Sequence, residues 1–242
     1  MRTAITLALG TILGLTLAGT AHAESRSFEL SGFDKVDIAA GLDAVIRQGD
    51  FAVSATSNNL DALDNLQLSV VDGVLRARLD ESFLDFIFSG GLVGMLINDN
   101  TLTIDITLPA LTGLEASAGA DVRAEGITSD QLDVTASSGA NISLPDARLG
   151  TVRAGSSSGA DLTLSGTADS ISAEASSGAD LDAADLVAAT AKAEASSGAD
   201  VSVHATARLA VNASSGGDVN VHGNPAERDV DTSSGGDVHF ED

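Results

Sequence analysis

One short motif recurs seven times in the second half of this chain. Its first copies read Ala116-Ser117-Ala118-Gly119-Ala120-Asp121, Ala136-Ser137-Ser138-Gly139-Ala140-Asn141 and Ser156-Ser157-Ser158-Gly159-Ala160-Asp161, and four more are centred on Gly178, Gly198, Gly216 and Gly235. Successive glycines stand 20, 20, 19, 20, 18 and 19 residues apart. A period this short accommodates two strands, a bend and a return segment, but not a crossover helix as well. The expected fold is therefore all-β: a single-chain parallel β-helix, or solenoid, with coils of about 20 residues.

Aligned on the glycine, the copies become columns. Three residues after it stand Val122, Ile142, Leu162, Leu181, Val201, Val219 and Val238, always branched and apolar. Three before it stand Ala116, Ala136, Ser156, Ala175, Ala195, Ala213 and Thr232, and five before it Leu114, Val134, Ala154, Ala173, Ala193, Val211 and Val230. The residues between are polar or charged, including Asp133, Thr135, Glu174 and Glu194. This alternation is that of strands with one face inward. The glycine suits a bend that needs φ > 0.

The first half reads as a degenerate version of the same coil. Gly41-Leu42-Asp43-Ala44-Val45 repeats the motif loosely, and the 78 residues from Gly41 to Gly119 equal four periods of 19.5. The expectation is one continuous solenoid of about ten coils over residues 24–242, with degenerate coils at 24–110 and the seven regular Ser-Gly-Ala-Asp rungs at 111–242. Residues 66–70, 74–79 and 102–108 read as strands, Asp72-Gly73 as a tight turn, and residues 60–66 as a short helical turn.

Residues 1–23 read as a signal peptide: Arg2 precedes an apolar run, and Ala21-His22-Ala23 forms a small-residue cleavage site. The mature product is expected to be periplasmic or secreted to the cell surface, with no transmembrane span after cleavage. The absence of cysteine removes a disulfide scaffold, a thiol nucleophile and a lipidated cysteine. With 35 acidic residues against 12 basic and a formal charge of -23, nucleic acid is excluded as a partner.

The order Ser31-Gly32-Phe33-Asp34-Lys35-Val36, Gly41-Leu42-Asp43-Ala44-Val45, Gln48-Gly49-Asp50, Asp72-Gly73-Val74-Leu75 and then the Ser-Ser-Gly-Ala-Asp rungs resembles the exported bacterial auto-transporter adhesins of the head GIN domain type. The resemblance covers roughly residues 28–242. It implies a β-helical fold and an exported, adhesive role. A departure from true autotransporters is expected, in that no membrane barrel is expected to follow Asp242.

Several motifs carry candidate chemistry. Gly155-Ser156-Ser157-Ser158-Gly159 matches a hydrolase elbow, but the repeat accounts for the string, and no catalytic residue or cofactor is expected. The column Asp121, Asn141, Asp161, Asp180, Asp200, Asp218 and Asp237 would stack carboxylates at about 4.8 Å and strain the fold by repulsion. Capping of the turn by these side chains is the first remedy expected; calcium bridging at Asp121, Asp161, Asp180, Asp200, Asp218 and Asp237 is the second. His204, His222 and His239 form a lesser metal candidate, with solvated surface histidines the commoner case. Residues 83–97, which hold Phe83, Phe86 and Phe88, read as a cover over the coil or, alternatively, as an apolar patch for a partner or membrane surface.

Two function classes follow. The first is a non-enzymatic β-helix acting in adhesion or as a structural or interaction protein of the cell envelope, with an envelope, surface-protein or glycan partner. The alternative is a polysaccharide-acting β-helix enzyme, which is disfavoured because the chain lacks Trp and Tyr and its basic residues are scattered. The Ser pairs lie at the bend and make no flat Thr array, which counts against an ice-binding face.

Overall fold

The structure, a computed structural model, describes residues 23–80 and 102–241, together with the backbone of a two-residue strand at Thr6–Leu7 that pairs with residues 69–70. The apolar segment 83–97 and almost all of the expected signal peptide lie outside the described residues.

The fold is a β-solenoid with coils of about 20 residues, as the repeat requires, but it has about six turns and not the expected ten, because much of the first half leaves the parallel stack. Each turn is less segmented than the sequence suggests. The chain runs as one long strand from the aspartate of one rung to the serine before the next bend: Asn141–Ser157, Asp161–Ser176, Asp180–Ser196 and Asp200–Ser214. Consecutive strands pair in parallel, with Ile142 beside Leu162, Leu162 beside Leu181 and Leu181 beside Val201. The register shifts between Leu144 and Ala147, between Thr163 and Gly166, and between Ala183 and Thr190. These irregularities absorb the change in period from 20 to 18, so the bend columns stay stacked while the corners vary.

The inward columns are those the alternation assigns. Val122, Ile142, Leu162, Leu181, Val201 and Val219 are buried, and so are Ala136, Ala175, Ala195 and Ala213 from the strand before the bend. Within Asn141–Ser157 three stretches face inward: Ile142 with Leu144, Ala147 with Leu149, and Val152 with Ala154 and Ser156. The alanines keep the coil narrow enough for these stretches to touch. Ser156 is the single polar intruder among the regular rungs, and its hydroxyl donates to the Ala160 carbonyl at 2.7 Å.

The bend is tighter than a single glycine implies. In each rung the residue before the glycine also has positive φ: Ala118 at 52°, Ser138 at 54°, Ser158 at 56° and Ser197 at 56°. The Ala120 amide donates to Ser117 O at 3.3 Å and the Ala140 amide to Ser137 O at 3.2 Å, closing four-residue turns with two left-handed central residues. Three of the bends are also tied to the next coil, as Gly119 N–H donates to Ser138 O, Gly139 N–H to Ser158 O and Gly178 N–H to Ser197 O, each at 3.2 Å.

The first half departs from a continuous coil. Strand Asp43–Gln48 pairs with Leu102–Leu108 on one side and Asp121–Glu125 on the other, and Lys35–Ile38 lies likewise between Val74–Leu79 and Gly113–Ala116. The stacking order is thus 74–108, then 35–48, then 113–125. Gly41 sits one coil below Gly119, not four, and the 78-residue interval holds an excursion. That excursion runs antiparallel: Ala52–Ser57 pairs with Leu102–Leu108, and Leu66–Val71 forms a hairpin with Val74–Leu79 through Asp72 and Gly73; Glu24–Phe28, which precedes the interval, adds to it by pairing antiparallel with Ala52–Ser57. A parallel coil cannot be continued by reversed strands, so they end the stack. The helix Leu60–Asp64, capped by the Asn59 side chain, turns Leu63 and Ala62 into this end of the core.

Leu162→Asp is expected to cost about 4 kcal/mol, because the new carboxylate would lie unpaired between Ile142 and Leu181; urea unfolding measures it, and a wild-type midpoint would show the face to be reversed. Gly217 replaces the alanine of earlier rungs, and a Cβ there would lie 2.6 Å from backbone atoms of residues 195–196. Gly217→Ala is therefore expected to cost about 2 kcal/mol, in contrast to the alanine that rung 198 tolerates.

Candidate functional site

Two polar columns flank every bend. On the side before it, Ser137, Ser157, Ser176, Ser196, Ser214 and Ser233 are paired rung by rung. Beside them runs a second outward column of Thr135, Gly155, Glu174, Glu194, Asn212 and Asp231. Because the serines are short and Gly155 has no side chain, the two columns enclose a shallow groove of about 450 Å³, lined by Ser157, Ser176, Ser196, Ser214, Glu174, Glu194 and Asn212. Lys192 reaches Glu194 at 2.5 Å, and this carboxylate holds the ammonium above its ordinary pKa. Arg153 likewise pairs with Asp133 of the neighbouring coil at 3.0 Å.

After the bend runs the aspartate column, longer than the repeat indicates. Asp43 stacks directly beneath Asp121, with Thr103 beneath it in turn. The signal for Asp43 was its Gly41-Leu42-Asp43 motif, which the four-period arithmetic placed in the wrong coil. Burial, and after it the charge of Asp121, raises the Asp43 pKa; burial, and then the charges of Asp200 and Asp161, raises that of Asp180. The column is therefore electrostatically loaded at Asp43 and Asp180, where burial and neighbouring carboxylates act in the same direction.

Turn capping, the first remedy expected, is not what the bend does. Many of its amides are committed to the backbone: Gly119, Gly139 and Gly178 N–H to the serine carbonyl of the next coil, Ala120, Ala140, Ala199, Gly217 and Gly236 N–H across the turn, and Asp161, Asp180, Asp200 and Asp218 N–H to carbonyls of the preceding coil at 3.0–3.1 Å. Among the described residues no bend amide donates to an aspartate of this column. Asn141 provides relief at one point, its Nδ2 donating to Asp121 Oδ1 at 2.6 Å. Calcium at these aspartates stays a proposal; the carboxylates form a line one per coil, and no group of three or more His, Asp or Glu that could hold a metal converges among the described residues.

The histidines follow the same geometry. His204 and His222 are in register on adjacent coils, whereas His239 sits in the next column beside Asn220. His204 Nδ1 lies 3.2 Å from Ala184 O, and His222 Nδ1 3.6 Å from Glu241. In the elbow-like string, Ser156 is buried, Ser157 belongs to the serine column and Ser158 to the bend, so each serine has a place set by the coil.

Sequence distance concealed one cluster. Arg47 pairs with Asp105 of the coil below at 3.4 Å and Glu125 of the coil above at 3.0 Å, and Arg123 also meets Glu125 at 2.9 Å. Arg123, and beyond it Arg47, holds the Glu125 carboxyl below its ordinary value. These exposed pairs bridge the three coils at the start of the stack, whose order is set by backbone pairing, and each adds little stability of its own.

The sequence pattern of the family described as "Putative auto-transporter adhesin, head GIN domain" matches residues 32–225. The chain belongs to this family. Solved structures agree on the fold: a "putative adhesin" from Bacteroides fragilis superposes with a TM-score of 0.79 at 19% identity, covering 92% of this chain and 98% of that one. A "putative lipid binding protein" from Parabacteroides distasonis gives 0.67 at 18%, covering 93% and 98%. A "putative adhesin" from Parabacteroides merdae gives 0.63 at 12%, with the same coverage. No curated protein matches the chain. No helix among the described residues is long and apolar enough to cross a membrane.

The loaded column makes a pH prediction. The Asp180 pKa is raised on folding, so its contribution to stability is fully present below the ordinary carboxylate value and is lost as pH rises through the folded value. Asp180→Asn is expected to stabilise the protein at neutral pH by about 0.5 kcal/mol, the scale of an exposed cross-strand pair. Its advantage should vanish in acid, and added salt should raise the wild-type Tm more than that of the variant. Thermal melts at several pH values and salt concentrations check this; an extra rise specific to millimolar calcium would indicate bridging.

Proposed function

We propose that this adhesin-family protein is exported to the periplasm or cell surface and works without catalysis, as a rigid adhesive or envelope-binding rod. The observation that carries this reading is the serine and glutamate groove. It repeats serine hydroxyls at about 4.8 Å along the coil, with carboxylates beside them at Glu174 and Glu194, an arrangement that matches an extended, hydroxyl-rich polymer such as a glycan better than one compact substrate. Carboxylates and serine hydroxyls bind sugar hydroxyls by hydrogen bonding, and many equivalent rungs give many weak contacts on one ligand. The basic groups beside it, Lys192 and Arg153, are held in ion pairs, which suits a static surface more than a proton-transfer site.

A glycan and protein binding screen on residues 24–242 tests the proposal. Ser157→Tyr and Ser196→Tyr fill the groove at outward strand positions that tolerate an aromatic residue. Each is expected to leave the Tm within about 1 °C of wild type, since surface changes are usually small, and to abolish the binding found in the screen. Undiminished binding by both variants would place the adhesive surface elsewhere.

A further inference from the structure

The last described coil of the solenoid differs from the coils beneath it. Strands Glu227–Ser233 and Asp237–Glu241 pair in parallel with the coil below, and among the described residues nothing pairs on their far side. Their outer backbone amides and carbonyls therefore form two open edges. Inward positions that are dry in lower coils are uncovered here, with Val230 38% and Phe240 42% exposed. Arg228 occupies the column position of buried Leu209, held by Asn224 Oδ1 at 2.6 Å and Pro225 O at 3.1 Å, and its guanidinium lies 4.5 Å over the Phe240 ring.

The charge at these edges discriminates between occupants. A second copy pairing antiparallel about Val230 would set Asp229 opposite Asp231 twice. Centring instead on Asp229 or Asp231 would pair that residue with itself, and pairing the other strand about His239 would set Asp237 opposite Glu241. Like charges directly opposite destabilise a strand pair. Asp229, Asp231 and Asp237 have no cationic partner among the described ion pairs, so they are free to meet one. We infer that the open last coil is a docking edge for an extended polypeptide segment of alternating basic and apolar residues. Such a segment adds as a further strand, its apolar side chains covering Val230 and Phe240 and its basic ones meeting the aspartates.

The test uses the mature chain and a short peptide alternating lysine and valine, beside the same peptide N-methylated at alternate residues, which keeps its charge but cannot pair as a strand. Saturable binding of the first peptide, with slowed amide exchange confined to residues 227–241, is expected. The methylated peptide and the Asp229→Lys variant are each expected to bind about tenfold more weakly, equivalent to about 1.4 kcal/mol. Equal binding of the two peptides, or protection spread along the aspartate column, would reduce the effect to general attraction by an acidic protein and overturn the proposal. Concentration-dependent dimerisation of wild type through residues 227–241 would assign the edge to a second copy and overturn it equally.

Discussion

In-register parallel stacking is the interaction on which the rest of the structure depends. When every coil lies directly on the next, a residue's neighbours are the same position in the coils above and below, so each chemical choice is repeated along the rod. For Leu162 or Ala175 the repetition is favourable, because like packs on like in a dry column. For Asp180 it is unfavourable, because the identical position above and below brings further carboxylates. The same rule therefore produces the core and the strain, and the bend is where the two meet.

The coil tolerates the aspartate column because its backbone is satisfied independently of the side chains. Turn-closing amides, glycine-to-serine links between bends and the aspartate amides all end on carbonyls. The carboxylates are consequently left to water and to one another, with Asn141 as a local break. This also explains why the serines matter. Two successive left-handed residues at the bend demand small, turn-compatible side chains, and Ser-Gly meets that demand while the serine before it faces the groove.

What could be read in the sequence, and what could not, divides along the same physical line. The columns from Val122 to Val238 and the glycine positions follow from local periodicity, so the coil and its inward faces were legible. The conformation of Ser138 and Ser158 was hidden because serine carries no compositional mark of positive φ. The place of Asp43 was hidden for a different reason: residues 35–48 enter the stack between two segments that follow them in sequence, and no period can report an order that only pairing creates. The Arg47 cluster depends on that order, so it was invisible too. Capping by aspartate was a reasonable expectation from turn chemistry, and it failed because stacked coils supply carbonyls that compete for the same amides.

The two ends of the rod show that extent needs its own determinants. A repeat specifies how to add a coil but says nothing of when to stop. At the first end the chain stops growth by reversing direction, so that Ala52–Ser57 and Leu66–Val71 pair where only a parallel coil could have continued the columns. At the last described coil the strands keep their direction and the columns change chemistry instead: Arg228 replaces a leucine position, and Asp229 and Asp231 border the edge. Reversed strands cannot extend the parallel columns, whereas the last described coil keeps their direction and lines its edge with carboxylates. The first end is thus set by a change of geometry and the last described coil by a change of charge, and the acidic edge selects for segments of opposite sign.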